Sequence, residues 1–183
     1  LLYKADDLRV AIEEFLVAKC RVKKAEVAGD YRRRVEVIEE MVFVIEADDF
    51  APVIAKLERY GGRTDLLSSA NESALFALSS GILLRIQLAT RKDWGRALIS
   101  CTGSKSHLRK LTSVTGSITA LKAEGSFATE APLYRKFGLG YIEPELREGH
   151  DEVERAARGT LQILVTVKGI RGALHATSTS KDG

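Results

Sequence analysis

Apolar residues recur at helical spacing through ADDLRVAIEEFLVAK, residues 5–19, at Leu8, Ile12, Phe15 and Leu16. This predicts a helix, and Asp6 and Asp7 fall in its first turn, where acids suit the positive end of the dipole. VKKAEVA (22–28) alternates and predicts a short strand. GDYRRR (29–34) reads as a turn or a short helix start. VEVIEEMVFVIEA (35–47) then predicts a buried strand, yet Glu39 and Glu40 stand in its middle. Two readings follow. The strand is a solvated edge, or it is an active-site strand whose acids have been moved or lost.

Downstream, DDFAPVIAKLERYG predicts a helix that Asp48 or Asp49 can cap and Gly61-Gly62 ends. ESALFALSSGILLRIQLAT predicts two strands joined at Ser79-Ser80-Gly81. RKDWGRALIS and SKSHLRKLTSV are helical. ITALKAEGSFA (118–128) reads as a small hairpin with Gly125 at its turn. Short helices over TEAPLYRKFG and HDEVERAA flank the irregular LGYIEPELREG, LQILVTV is a strand, and the tail is small and polar. The order predicts an α+β protein with a sheet-based unit over 1–90 and a smaller unit over 91–168.

Composition narrows this little. The 183 residues are 45% hydrophobic and 29% charged, ordinary for a soluble globular chain. The net charge of +3 permits a polyanionic partner without arguing for one. Cys20 and Cys101 are far apart, with no CxxC, and read as reduced core thiols of a cytoplasmic protein. No apolar run reaches the roughly 18 residues of a membrane span. No signal peptide opens the chain, and LLYK lacks an initiator Met, which leaves a fragment of a longer protein open. Trp94 is expected in the core or between the two units, with base stacking as the lesser alternative, and His150 at the surface.

These stretches carry a resemblance. AGDYRRRVEVIEEMVFVI resembles the signature of family X DNA polymerases, in which a Gly-Ser turn, a run of arginines and a Gly-Asp-x-Asp strand follow one another. ALISCTGSKSH is similar to that family's Thr-Gly-Ser motif at the start of the thumb, and SSGILLRIQL to the strand bearing the third metal-binding Asp. YIEPELREG resembles a segment near the thumb's end in bacterial members. IRGALHATSTSKDG resembles the opening of the PHP (polymerase and histidinol phosphatase) domain. The resemblance implies a polymerase-beta-like nucleotidyltransferase palm sheet with flanking helices over 1–90. A thumb over 91–168 follows, then a linker and truncated PHP start over 169–183.

Two-metal nucleotidyl transfer needs three carboxylates converging on two cations. The resemblance puts the family's catalytic positions at Glu40, Val42 and Arg85. Only one is a carboxylate, and Glu40 is expected to face Arg85 in a buried salt bridge. Mg²⁺, which the family uses, is expected not to bind. The phosphate-binding turn corresponds to Gly29, Asp30 and Arg33, where the charge of Asp30 should repel a nucleotide. Thr102, Gly103 and Ser104 match the second motif. A Gly-Ser leading into a helix offers free N–H groups to an anion, with a simple helix cap by Ser104 or Thr102 as the equal alternative. Lys105, His107, Arg109 and Lys110 are the candidate DNA contacts. Ser100, Cys101 and Leu108 replace sugar- and base-contacting residues of the family. In the tail, Ala173-Leu174-His175-Ala176-Thr177 keeps one His of an Asp-Leu-His-x-His metal motif.

Three functions remain open. One is a palm–thumb module that has lost metal-dependent transfer and binds DNA or acts as a scaffold beside a downstream PHP domain. The second is an active DNA-directed nucleotidyltransferase of DNA repair with divergent ligands. The third is a protein-interaction module without nucleic acid affinity. The sequence leaves the oligomeric state undetermined.

Overall fold

The computed structural model describes residues 2–62, 64–116, 125–161 and 164, with side chains from Ala5 onward. Helix α1 (Leu2–Ala18) leads into strand β1 (Lys24–Ala28) and one turn of helix, α2 (Gly29–Arg33). Strand β2 (Glu40–Glu46) and helix α3 (Ala51–Leu57) follow, then β3 (Thr64–Ser69), β4 (Ser73–Leu78) and β5 (Leu83–Leu88). The remaining described helices are α4 (Trp94–Thr102), α5 (Lys105–Thr115), α6 (Glu130–Lys136) and α7 (Glu152–Arg158). The architecture is α+β. None of the described helices is long and apolar enough to cross a membrane.

The five strands form one sheet in the order β1-β2-β5-β4-β3. Only β2 and β5 run parallel, with Val42 opposite Arg85. Five successive residues of β2, Met41 to Ile45, are buried because both sheet faces are covered. Met41, Phe43 and Ile45 join Ile12, Leu16, Val53, Leu57, Phe76, Leu84 and Ile86 in the main core, which α1 and α3 roof. Val42 and Val44 face the other way, against Ala28, Ala89, Trp94 and Leu98. A third apolar cluster gathers Ile99, Leu111, Leu133, Tyr134, Ile142 and Val153 from the helical half. Helix α4 therefore touches both halves, with Trp94 and Leu98 turned to the sheet and Ile99 to the helices.

The expected strand over 35–47 is shorter than the pattern suggested. Residues 35–39 lie outside the ladder, with Val37 exposed, and β2 starts at Glu40. Both acids thus stand at the strand's opening end. The solvated-edge reading fails as well, since β2 is flanked by β1 and β5. Strand β3, TDLLSS, was not legible as a strand. It is a largely exposed edge with a bulge between Leu66 and Ser68, so its core periodicity is broken. Asp49 accepts the Ala51 N–H at 3.1 Å at the start of α3. The expected 118–128 hairpin and 161–167 strand fall mainly outside the described residues, as does the tail with His175.

Candidate functional site: a self-neutralised cleft

A cleft of about 830 Å³ opens between the β2/β5 strand ends and the start of α5. Gly29, Asp30, Arg33, Glu40, Val42, Arg85, Gly103, Ser104 and Lys105 all line it. The structure thus brings most of the sequence-derived positions onto one surface. Alternation along β2 puts Glu40 and Val42 on one face, and the parallel pairing sets Arg85 beside them.

The chemistry there is not that of a metal centre. Val42 is buried and has no donor atom. Gly29 sits against it at φ +65°, and a side chain at Gly29 would meet Val42 Cγ2 at 2.8 Å. Arg85 Nε donates to Glu40 Oε1 at 2.6 Å. This pair was expected to be buried, but Arg85 is 47% and Glu40 26% exposed. Long side chains at the strand ends reach the cleft mouth and stay hydrated. Among the described residues, no group of three or more His, Cys, Asp or Glu side chains could hold a metal ion. A Mg²⁺ pair does not fit this donor set: one carboxylate of the three positions remains, and a guanidinium already occupies it. Cys101 also lines the cleft, but burial pushes its thiol up to about 11, so it stays protonated near neutral pH.

Arg33 is the most heavily bonded group of the cleft. Its Nη2 donates to Asp30 Oδ1 at 2.7 Å, its Nε to Glu148 Oε1 at 2.7 Å and its Nη1 to the Thr102 carbonyl at 2.7 Å. Asp30 was expected to repel a nucleotide; its charge is instead spent on Arg33. Glu148 went unnoticed in the sequence because it lies in an irregular stretch with no periodicity. Segment 147–149 lies across the start of α5. The Ser104 N–H donates to the Arg147 carbonyl at 3.0 Å, and a Cβ on Gly149 would meet Ser106 Cβ at 2.3 Å. Ser104 Oγ caps α5 by accepting the His107 N–H at 3.0 Å, as the helix-cap reading expected.

The four candidate DNA contacts divide. Lys105 and Arg109 are exposed one turn apart on α5. Lys110 is held by Glu154 at 3.0 Å and by the His150 carbonyl. His107 is fully buried and cannot reach a polymer. Burial holds its pKa below the ordinary 6.5, outweighing the hydrogen bond to Glu152, so the ring is neutral. Nδ1 then donates to Glu152 Oε1 at 2.7 Å, and Nε2 faces the Tyr134 hydroxyl at 3.4 Å. Thr102, expected at a phosphate, is also buried and receives Arg32 Nη1 at 3.2 Å on its hydroxyl. Trp94 is buried, with its Nε1 donating to Glu26 Oε2 at 3.0 Å and Lys24 over its ring, so base stacking is excluded.

Behind the cleft lies a buried charge network. Glu130 receives Arg32 in a two-pronged contact at 2.9 and 2.7 Å, Arg147 Nη1 at 2.6 Å and the Tyr141 hydroxyl at 3.1 Å. Arg147 is wholly buried; its other donors bond the Ile142 carbonyl, and Tyr134 and Tyr141 flank its guanidinium. Burial works to raise the Glu130 carboxyl, but the arginines win and hold it below its ordinary value. Gly95 makes the network reachable. A Cβ there would meet the Thr129 carbonyl oxygen at 2.1 Å, so only glycine lets α4 pack this close to the start of α6. No local pattern marks Glu130 or Arg147 in the sequence.

No protein-family model matches the chain. It is similar to the DNA polymerase/3'-5' exonuclease PolX of Bacillus subtilis (strain 168), at 29% identity over 191 aligned positions. The chain is a distant relative of that protein. The match takes in 96% of this chain and 33% of the relative, so the chain spans about a third of the relative's length.

Proposed function

We propose that the chain is a palm–thumb module of the family X polymerase type that has lost metal-dependent nucleotidyl transfer and serves as a DNA-binding or scaffold unit. The palm corresponds to residues 1–90 and the thumb to 91–168. The observation that carries the reading is the set of side chains at the three catalytic positions. A hydrocarbon, a guanidinium and one ion-paired carboxylate cannot hold two cations. The active alternative would draft Glu39, which also lines the cleft, beside Glu40, but Glu40 already pairs with Arg85 and Val42 offers no third donor. The resemblance to a polymerase, rather than the cleft, supports DNA as partner. The face that suits a phosphate backbone is the outer side of α5, with Lys105 and Arg109.

Binding of the chain to a gapped DNA duplex at two salt concentrations tests this. Phosphate contacts release counterions, so affinity should fall with salt and be indifferent to Mg²⁺. Replacing both Lys105 and Arg109 with Gln should lower the salt slope by roughly 2. Absence of DNA binding at low salt would favour the protein-interaction reading instead.

A further inference from the structure

Helix α1 packs Leu8, Ile12, Phe15 and Leu16 against the main core, so its opposite face is expected to be polar. Instead Val10 is 40% and Val17 52% exposed. They stand about two turns apart on one side of the helix, and each is followed by an exposed alanine, Ala11 and Ala18. A single exposed valine is ordinary, but four apolar positions aligned on one face form a continuous stripe. A groove of about 560 Å³ runs along it, lined by Val10, Val17 and Ala18 together with Glu14 and the paired Arg9 and Glu13. This face lies on α1 and uses none of the residues lining the cleft.

We propose that this face of α1 binds the same face of a second copy of the chain, with the two helices antiparallel. The face is self-complementary. Counted outward from Glu14 in both directions, Val10 falls opposite Ala18 of the second copy and Ala11 opposite its Val17. A large side chain then meets a small one at each step, which lets the helix axes approach closely. Asp7, before the stripe, meets Lys19 and Arg21, beyond its end. All three are exposed, and none has an ion-pair partner among the described residues. A parallel pairing would set Asp7 against Asp7 and Lys19 against Lys19, so charge selects the antiparallel one. Glu14 meets its own counterpart on the axis, which is the unfavourable contact of the set. The 17-residue helix is about 26 Å long. One such helix pair buries less than the roughly 1,200 Å² of a standard interface, so the dimer is weak and reversible.

Sedimentation velocity of the chain over a concentration series tests this. At low salt the sedimentation coefficient should rise with concentration toward that of a dimer, and salt should weaken the rise by screening the end pairs. Val10→Gln/Val17→Gln should weaken association by at least about tenfold. Both positions are exposed, so the fold should survive, and an unchanged urea midpoint verifies it. Glu14→Gln removes the repulsion on the axis and should strengthen association by roughly threefold. Asp7→Lys should weaken it, and adding Lys19→Glu and Arg21→Glu should restore it, because the end pairs re-form with their signs exchanged. That rescue separates a specific pairing from general stickiness. A chain that stays monomeric throughout the series, a dimer indifferent to Val10→Gln/Val17→Gln, or a charge exchange that restores nothing would each overturn the proposal.

Discussion

Two sets of ion pairs lie on either side of the cleft wall, and they differ in what they do. Glu40 and Arg85 meet at the cleft mouth, both partly hydrated. Glu130, Arg32 and Arg147 meet behind it, with Glu130 5% exposed and Arg147 fully buried. The first pair faces the cleft, but water and side-chain entropy leave it little influence on stability. The second has no surface to act on, yet each of its charges was taken out of water at a cost that only its partners offset. The same residue types thus make a hydrated pair in one place and a structural joint in the other, and burial separates the two roles.

The largest expected effect comes from breaking the buried set. Glu130→Ala strands two guanidiniums and should cost about 3–5 kcal/mol, read as a drop in the urea midpoint. A change within about 1 kcal/mol would mean that the network is wetter than its geometry shows. Next in size is the pH response of His107. Its folded pKa is depressed, so its contribution is fully present above the ordinary 6.5 and is lost as pH falls through the folded value. Urea unfolding from pH 7 downward should show falling stability below 6.5. His107→Asn should flatten that part of the curve. An unchanged curve would show that the ring takes its proton equally well in the folded state. The smallest effect is expected at the cleft mouth. Glu40→Gln and Arg85→Met should each shift stability by less than about 1 kcal/mol. A loss comparable to that of Glu130→Ala would erase the contrast.

Most helices and four of the five strands were legible because their apolar spacing matched their burial, as in α1 and β2. The two acids were misplaced because an apolar flank, Val35, Val37 and Ile38, extended the strand pattern beyond the ladder. β3 escaped because an exposed edge leaves no alternation to read. In the site, the positions lining the cleft followed from motif order, since two strands and a helix start converge there. What each residue does was less legible. His107 looked like a contact from its place after Thr-Gly-Ser, and only the packing of Glu152 and Tyr134 around it shows otherwise. Glu130, Arg147 and Glu148 meet Arg32 and Arg33 across roughly a hundred residues or through an irregular loop, and no local pattern encodes such a meeting.

The central claim is that this cleft no longer handles a nucleotide through divalent cations. The most direct test titrates the chain with a nucleoside triphosphate in the presence and absence of Mg²⁺. The account expects no saturable binding in either case, and no difference between them. Saturable binding that requires Mg²⁺ would contradict it, because it would mean that Glu40 leaves Arg85 to join a metal site.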